Sequence, residues 1–315
     1  MFGQLAVLTT RQRELLDAWL PGATLVKDHG WGLVQTTVLQ VRHGGEHYIV
    51  KAGGASDGHI AREITAHRRW LTPWTSRRRA PQLVRCDEEA KLVVTRFLPG
   101  ELVLGHPSAD DPETYRQAGA LLAAFHAQER AEDPDHEQRE NDRTLAWLDK
   151  PHRIAPEVVA EVRARIACWP RVASTLVPTH GDWQPRNWLV HDGAVSVIDF
   201  GRAAMRPAAT DLARLAVRDF ARDPELEHAF LDGYGTDPRD PEAWKRTRIR
   251  EAVATASWAY QVGDEAFEQE GLRGLAIALE KNRMPDWGRS AHRPQLHSLT
   301  KCPGACTGDD MSNYR

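Results

Sequence analysis

The stretch THGDWQPRNWLVHDGAVSVIDFG, residues 179–201, carries the strongest structural signal in this chain. Two of its apolar runs, NWLV and AVSVIDF, flank Asp192-Gly193, and Asp-Gly between apolar runs is a strong signal of a two-residue β-hairpin turn. With the turn there, antiparallel pairing sets residue 187 opposite residue 198. We therefore predict that the side chains of Asn187 and Asp199 emerge at the same end of one hairpin.

Three polar residues around this hairpin suggest a chemical role. Two converging oxygen-bearing side chains suit Mg²⁺, a hard cation that takes few protein ligands and keeps its other positions for water and phosphate oxygens. We predict that Asn187 and Asp199 ligate magnesium. Asp182 precedes Asn187 by five residues. Phosphoryl transfer through a loose transition state needs positioning more than covalent help, so one carboxylate oriented on an acceptor hydroxyl suffices, and we predict this catalytic role for Asp182.

The same stretch resembles the aminoglycoside phosphotransferase family, a branch of the protein-kinase-like fold. The catalytic loop of that family reads H-G-D, four residues, N, then D-x-G. The residues of this chain that match are His180, Gly181, Asp182, Asn187, Asp199 and Gly201. The resemblance continues, in motif order, in HYIVK, AREITAHRRWL, VVTRFLPGE and PAATDLARL, and covers about residues 23–280.

The resemblance implies a nucleotide site for ATP. Lys51, at the end of HYIVK, would hold the α- and β-phosphates, and Glu63, twelve residues on, would fix Lys51 through an ion pair. Backbone groups of Thr95 and Phe97 would hold the adenine. A glycine turn over the phosphates would contain Gly30 and Gly32, although the third glycine of GxGxxG is absent. His180 and Asp211 would brace the catalytic loop.

The order of the predicted elements indicates an α+β, two-lobe fold. Residues 23–51 read as a three-stranded antiparallel meander, and a helix is predicted from about Asp57 to Leu71. We place a nucleotide-binding lobe at 1–99, with Pro99-Gly100 as its boundary, a mostly helical catalytic and substrate-binding lobe at 100–284, and a disordered tail at 285–315. Helical spacing marks the segment around Tyr115–Phe125 and the segments 156–168, 209–220, 240–262 and 265–280.

Composition excludes several classes of function. The chain has 41 Lys and Arg against 44 Asp and Glu, a formal charge of −3, so no strong basic field points to nucleic acid. No apolar run is long enough to span a bilayer, and the first ten residues lack the features of a signal peptide. Four scattered cysteines indicate neither a disulfide framework nor a zinc site. We expect a cytoplasmic protein without a membrane or nucleic-acid partner; its oligomeric state is not predicted.

Several residues have a plain structural explanation beside the functional one. Lys51 and Glu63 would otherwise be a surface lysine and a solvated glutamate, and His126 is expected to be a packed helix residue. Trp183 could stack on a substrate, but core packing is favoured. The acidic run from Asp264 to Glu270 could attract a polycationic acceptor, although such a run more often is the solvated face of a helix.

The sequence disfavours two classes of enzyme and leaves three functional hypotheses. A eukaryotic-type protein kinase is disfavoured because residues 201 and 211 are only ten positions apart and no A-P-E follows, and a metallophosphoesterase is disfavoured because its G-D-x-H and G-N-H are absent. The first hypothesis is an ATP- and Mg²⁺-dependent kinase that phosphorylates a hydroxyl of an aminoglycoside or another antibiotic and so confers resistance. The second is a metabolic kinase acting on a sugar, a choline-like alcohol or an amino alcohol. The third is a catalytically dead nucleotide-binding module.

Overall fold

The computed structural model describes residues 8–30 and 36–280. Gly32 and the predicted tail at 285–315 lie outside the described residues, so those two predictions stay as they were. No helix in the described part has the length and apolar character needed to cross a membrane.

An antiparallel sheet of five strands forms the N-terminal part of the fold. The strands are β1 (Thr24–Asp28), β2 (Thr36–His43), β3 (Glu46–Gly53), β4 (Leu83–Asp87) and β5 (Leu92–Arg96). Their order in the sheet is β1-β2-β3-β5-β4, so the predicted meander is confirmed and two further strands extend it. In the register of β2 with β3, Val38 lies opposite Lys51, and Lys51 in turn lies opposite Val93 of β5. Lys51 therefore stands on a central strand.

Two helices cover this sheet. Helix α1 (Thr10–Trp19) begins with a capping box formed by Thr9 and Gln12, and its Leu16 packs in a cluster with Leu39 and Val50 of the sheet. Helix α2 (His59–Arg69), within the predicted span, buries Ile60 and Ile64 against Val93. The face of α2 that contacts the sheet also carries Glu63, which is therefore buried.

The rest of the described chain is mostly helical. The helices predicted at 156–168, 240–262 and 265–280 are confirmed almost to the residue. The helix predicted at 209–220 is broken at Arg218, whose ψ of −80° is not helical. Three helices, at 72–75, 136–148 and 224–234, were not predicted. The first has only four residues, the charged sequence of the second lacks a clear apolar period, and the third buries only Leu226 and Phe230, four residues apart. The helices are α3 (Thr72–Thr75), α4 (Pro112–His126), α5 (His136–Leu148), α6 (Pro156–Cys168), α7 (Ala213–Val217), α8 (Asp219–Arg222), α9 (Pro224–Tyr234), α10 (Pro241–Val262) and α11 (Glu265–Leu279).

Two small antiparallel sheets hold the stretch at 179–201 among these helices. Their strands are β6 (Glu101–Leu102), β7 (Ala131–Asp133), β8 (Ser174–Thr179), β9 (Trp188–His191), β10 (Ala194–Val197) and β11 (Ala204–Arg206). One sheet has the order β10-β9-β6 and contains the predicted hairpin, and the other has the order β11-β8-β7. Because β8 ends at Thr179, and β11 pairs with it beyond the hairpin, the loops before and after the hairpin meet at one edge.

Aromatic side chains fill the core beneath the hairpin. Trp183, Trp188 and Phe200 are fully buried, and Trp74 stacks on Phe125 with ring centroids 4.6 Å apart. Aromatic pairs of this kind contribute beyond their buried area. The loop that carries Asp182 therefore rests on a rigid base.

Candidate active site

The hairpin has the predicted register. Trp188 pairs with Val197, and the amide of Ile198 donates to the carbonyl oxygen of Asn187 at 3.0 Å, so residues 187 and 198 lie opposite each other. The turn residues Asp192 and Gly193 both have positive φ, 48° and 73°, as a two-residue hairpin turn requires. The prediction that Asn187 and Asp199 emerge at the same end is confirmed.

Lys51 lies between two carboxylates. Its Nζ is 2.9 Å from Oε2 of Glu63 and 2.9 Å from Oδ1 of Asp199. Burial alone would lower the pKa of Lys51, but the negative charges of Asp199 and Glu63 outweigh it and raise that pKa. Since the exposed fractions of the Lys51 and Glu63 side chains are 15% and 5%, the surface interpretation of both residues is wrong.

Asp199 and Asn187 have the donor atoms of a magnesium site. Asp199 sits in the left-handed region at φ 69°, a conformation that non-glycine residues adopt at a cost and that is common at functional sites. Within the described residues, no hydrogen bond engages Oδ2 of Asp199 or Oδ1 of Asn187. The charge of Lys51 holds the pKa of Asp199 below its usual value, which keeps this carboxylate ionised. Both residues therefore fit a hard cation, and the described part of the chain contains no cluster of three or more His, Cys, Asp or Glu that would suit another metal.

Asp182 is buried and surrounded by donors. Its Oδ2 accepts hydrogen bonds from Arg186 at 2.7 Å and Asn187 at 2.9 Å, while Oδ1 lies 2.9 Å from Nη1 of Arg214 and also accepts from Gln184. Burial would raise the pKa of Asp182, but the charges of Arg214 and Arg186 outweigh this and hold the pKa well below its usual value. Asp182 is therefore a fixed, ionised carboxylate. No sequence pattern pointed to Arg186 or Arg214 as its partners.

Asp211 braces the loop that carries Asp182. Its Oδ2 accepts the amide of His180 at 2.7 Å and its Oδ1 accepts the amide of Gly181 at 2.6 Å. His126 contacts the same carboxylate at 3.1 Å through Nε2, and the ring of His180 contacts the carbonyl oxygen of Ile198 at 3.1 Å. The bracing positions expected for His180 and Asp211 are observed, and His126 is the packed histidine that was expected.

Thr95, Phe97 and Gly30, which are expected to hold the adenine and to lie over the phosphates, make contacts within the fold. Thr95 is buried on β5, where it pairs with Ile49. The amide of Phe97 donates to the carbonyl oxygen of His47 at 3.0 Å, so in this structure it is engaged within the fold. The amide of Gly30 is engaged by Oδ1 of Asp28 at 2.7 Å. The roles assigned to these residues stay predictions.

A cavity of about 420 Å³ opens beside Asp182, a volume typical of small-molecule sites. One side is formed by α2, the loop after the hairpin and the end of β11, which contribute Arg62, Arg202 and Arg206. The other side comes from α5 and α10. The sequence did not point to this cavity, because α5 was not predicted and because arginines are common on ordinary helix faces.

Two of the structural explanations can be decided. Trp183 is fully buried and packs against Trp188 and Trp74, as the core interpretation requires. In the acidic run, Glu268 is buried beside Arg153, and both carboxylate oxygens of Glu270 contact Arg218, at 2.6 and 2.8 Å. These two glutamates are not part of a solvated helix face, whereas Asp264 and Glu265 are exposed, as the structural explanation expects.

Comparison with known structures shows the same fold in small-molecule kinases. Choline kinase LicA from Streptococcus pneumoniae superposes with a TM-score of 0.62 at 17% identity, over 84% of this chain and 97% of that one. A thermostable mutant of aminoglycoside phosphotransferase APH(4)-Ia, in a ternary complex with ADP and hygromycin B, gives 0.63 at 12% identity, over 86% and 98%. Macrolide 2'-phosphotransferase MphH from Brachybacterium faecium gives 0.55 at 20% identity, over 86% and 99%.

Sequence comparison supports the same assignment at the level of the family. No curated protein matches the chain. The family model described as "Phosphotransferase enzyme family" matches residues 29–249, which is more than half of the chain and includes strands β2 to β5 of the N-terminal sheet and the hairpin. The predicted resemblance and the predicted α+β, kinase-like fold are confirmed. This chain belongs to the phosphotransferase enzyme family.

Proposed function

We propose that this protein transfers the γ-phosphate of ATP to a hydroxyl group of a small molecule in a magnesium-dependent reaction. The observation that carries the proposal is the arrangement around the hairpin, where Lys51, Glu63 and Asp199 form one ion-paired chain beside the buried carboxylate of Asp182. In this proposal, the cationic Lys51 lies next to the groups that would ligate the metal and orient the hydroxyl. Ternary complexes of APH(4)-Ia with ADP or AMP-PNP support the choice of nucleotide.

Lys51 binds the α- and β-phosphates in this proposal. Its ammonium group is anchored by Glu63, which fixes its position without using all three N–H donors. The contact between Lys51 and Asp199 is the one that nucleotide binding would loosen, because Lys51 would then bind phosphate oxygens and Asp199 would be available to ligate the metal. Glu63 is therefore the positioning residue and Lys51 the binding residue.

Asn187 and Asp199 would hold Mg²⁺. When bound, the ion neutralises charge on the phosphate oxygens and aligns the transferred phosphoryl group. The side-chain amide of Asn187 donates to Asp182 at 2.9 Å, which directs its oxygen away from Asp182. Asn187 thereby fixes the metal side of the site relative to the catalytic carboxylate.

Asp182 would orient the acceptor hydroxyl and receive its proton as the new O–P bond forms, while the bond between the γ-phosphorus and the β,γ-bridging oxygen breaks and ADP leaves. The low pKa of Asp182 makes it a weak base, which suits a loose transition state where the hydroxyl keeps its proton until late. One present donor must give way to the hydroxyl. Arg186, with a side chain 35% exposed, is the donor with the most freedom to move.

The acceptor class separates the remaining hypotheses. Solved structures of similar fold include aminoglycoside, macrolide and choline kinases, so an antibiotic and a metabolite acceptor both remain part of the proposal. The dead-module hypothesis is disfavoured because Lys51, Asp182, Asn187 and Asp199 are all present and adjacent. A cytoplasmic location is part of the proposal, since ATP is abundant there.

The test is ADP release from purified protein with ATP and Mg²⁺ against pools of antibiotics, sugars and amino alcohols. Asp182→Asn should lower kcat roughly 10²- to 10⁴-fold and leave AMP-PNP binding unchanged. Asp192→Asn is the matched control, because it makes the same chemical change in an exposed turn where Asn-Gly is equally favourable. Nucleotide binding without turnover on any pool would favour the dead module, and equal activity of the two variants would refute the role of Asp182.

A further inference from the structure

The cavity beside Asp182 has an unusual charge distribution. Six arginines and five carboxylates line it, so its formal charge is nearly balanced. The formal charge of the lining residues differs from the charge that a ligand meets, because a carboxylate that is ion-paired inside the fold attracts a ligand only weakly. The partners of each group therefore decide which sign a ligand meets.

Most of the carboxylates are engaged within the fold. Glu137 is buried and contacts both Arg246 and Arg250 at 2.8 Å, and Glu140 contacts Arg143 at 2.7 Å. Asp182 and Asp211 have the partners described above. Glu251 alone has no ion pair among the described residues, and its charge acts on the nearby Arg214.

Of the three arginines on the other side of the cavity, Arg62 and Arg206 are held by neutral atoms instead. Nε of Arg62 donates to the carbonyl oxygen of Gly201 at 2.8 Å, and Nη1 of Arg206 donates to Oγ1 of Thr179 and to the carbonyl oxygen of Arg202, both at 3.0 Å. In the described part of the chain, none of Arg62, Arg202 and Arg206 has a carboxylate within ion-pair distance. Carbonyl and hydroxyl oxygens orient a guanidinium group without cancelling its charge.

Arg202 and Arg206 lie against the catalytic loop. A Cβ placed on Gly181 would come within 2.7 Å of Nη1 of Arg206 and 2.5 Å of the carbonyl oxygen of Arg202, and Gly181 immediately precedes Asp182. The pKa of Arg62 is lowered by burial and by the charge of Arg206. Like charges held together in this way oppose folding unless an anion offsets them.

We propose that the acceptor of this enzyme is an anion, a hydroxyl compound carrying a carboxylate or phosphate group that Arg62, Arg202 and Arg206 bind. This inference rests on the proposed function and narrows its substrate class. Arginine is suited to such a ligand because its planar fork makes paired hydrogen bonds to carboxylate and phosphate oxygens. The bound group would lie beside Asp182, with the reacting hydroxyl on the same molecule turned toward that carboxylate.

The γ-phosphate of ATP is the other anion that could meet these arginines. The cavity argues for the acceptor, because none of Lys51, Glu63, Gly30, Thr95 and Phe97, the residues assigned to the nucleotide, lines it. Its far wall consists of α5 and α10, away from the five-stranded sheet. In the acidic run from Asp264 to Glu270, Glu268 and Glu270 are already paired with arginines, and the exposed Asp264 and Glu265 do not line the cavity.

The test compares hydroxyl compounds that differ only in charge. ADP release is measured with glycerol, glycerate and glycerol phosphate, with glucose, gluconate and glucose phosphate, and with choline, ethanolamine and an aminoglycoside. We expect turnover on an anionic compound with kcat/KM at least about tenfold above its neutral counterpart, as a hydrogen-bonded charge would give. Arg202→Gln and Arg206→Gln should raise the acceptor KM roughly tenfold to a hundredfold and leave the ATP KM unchanged.

Arg85→Gln is the matched control. Arg85 is exposed on β4, does not line the cavity and has no carboxylate partner among the described residues, so it makes the same change in net charge elsewhere. Turnover confined to neutral or cationic compounds would overturn the inference. A rise in the ATP KM in place of the acceptor KM would also overturn it, by assigning the arginines to the γ-phosphate.

A binding measurement covers the case in which no compound turns over. With Mg²⁺ and AMP-PNP saturating the nucleotide site, calorimetry is used to titrate citrate and inorganic phosphate into the full chain. Binding that is lost in Arg202→Gln and Arg206→Gln but kept in Arg85→Gln supports the anion site even if the proposed kinase activity fails. No binding, or equal binding by all variants, overturns the anion site and leaves the kinase proposal standing on its own test.

Discussion

Asp211→Asn should weaken both stability and catalysis, because Asp211 fixes the backbone before Asp182. Each oxygen of Asp211 accepts a backbone amide, at 2.7 and 2.6 Å, and His126 adds a third contact. Asparagine has the same shape, but its NH2 group must face one of these N–H donors. One hydrogen bond to a charged acceptor is lost, and a buried amide is left unpaired.

We expect the free energy of unfolding to fall by about 2–4 kcal/mol at pH 7, which is one lost hydrogen bond to a charged group plus part of the cost of an unpaired buried donor. Removing the buried charge also removes its desolvation cost, so the loss stays below the sum of all three contacts. Burial opposes ionisation of Asp211, but the bonds and charges around it hold its pKa below the usual value. Its stabilisation is therefore present at neutral pH and is lost as the pH falls through that lowered pKa.

Urea unfolding followed by circular dichroism, at pH 7 and at successively lower pH, measures this effect. Asp192→Asn is again the control, since its exposed carboxylate should matter by no more than about 0.5 kcal/mol. We also expect a lower kcat in Asp211→Asn, because the loop that carries Asp182 is no longer fixed. A loss of stability equal to that of the control would refute the bracing role.

Three further predictions concern the same site. In Glu63→Gln, Lys51 loses one of its two anchors, so the KM for ATP should rise about tenfold with the fold intact; an unchanged KM would contradict the positioning role. Because the pKa of Asp182 is well below its usual value, kcat should not fall through protonation of this residue as the pH decreases from about 8 to 5. A fall in kcat over that range that disappears in Asp182→Asn would contradict this prediction. Gly181→Ala should cost more stability than Gly193→Ala: both positions have positive φ, but only a Cβ at 181 meets other atoms, so equal losses in thermal unfolding would contradict the close approach.

The hairpin and its polar residues could be predicted from sequence because the signals are local. Asp192-Gly193 fixes the turn, and the two-residue period of the strands then fixes the positions of Asn187 and Asp199. Lys51 and Glu63 were placed by their motif context, and the structure brings them together across a strand and a helix. In each case a few neighbouring residues contain the information.

The surroundings of Asp182 could not be predicted in the same way. Arg214 reaches it from a helix more than thirty residues away in sequence, and no local pattern separates Arg214 from the other arginines of the chain. The helix from His136 to Leu148 is held by buried polar contacts such as that of Glu137 with Arg250, so its sequence lacks the apolar period that reveals a helix. The cavity formed by these elements is therefore a tertiary property.

Two adjacent residues of helix α2 connect the proposed nucleotide site with the acceptor cavity. Glu63 faces the sheet and holds Lys51, while Arg62 bonds the carbonyl oxygen of Gly201 at the cavity. A displacement of α2 moves both contacts at once, so ATP and acceptor would sense each other through a single rigid element. Linkage then demands reciprocity: whatever factor bound nucleotide adds to the affinity for the acceptor, bound acceptor must add to the affinity for nucleotide.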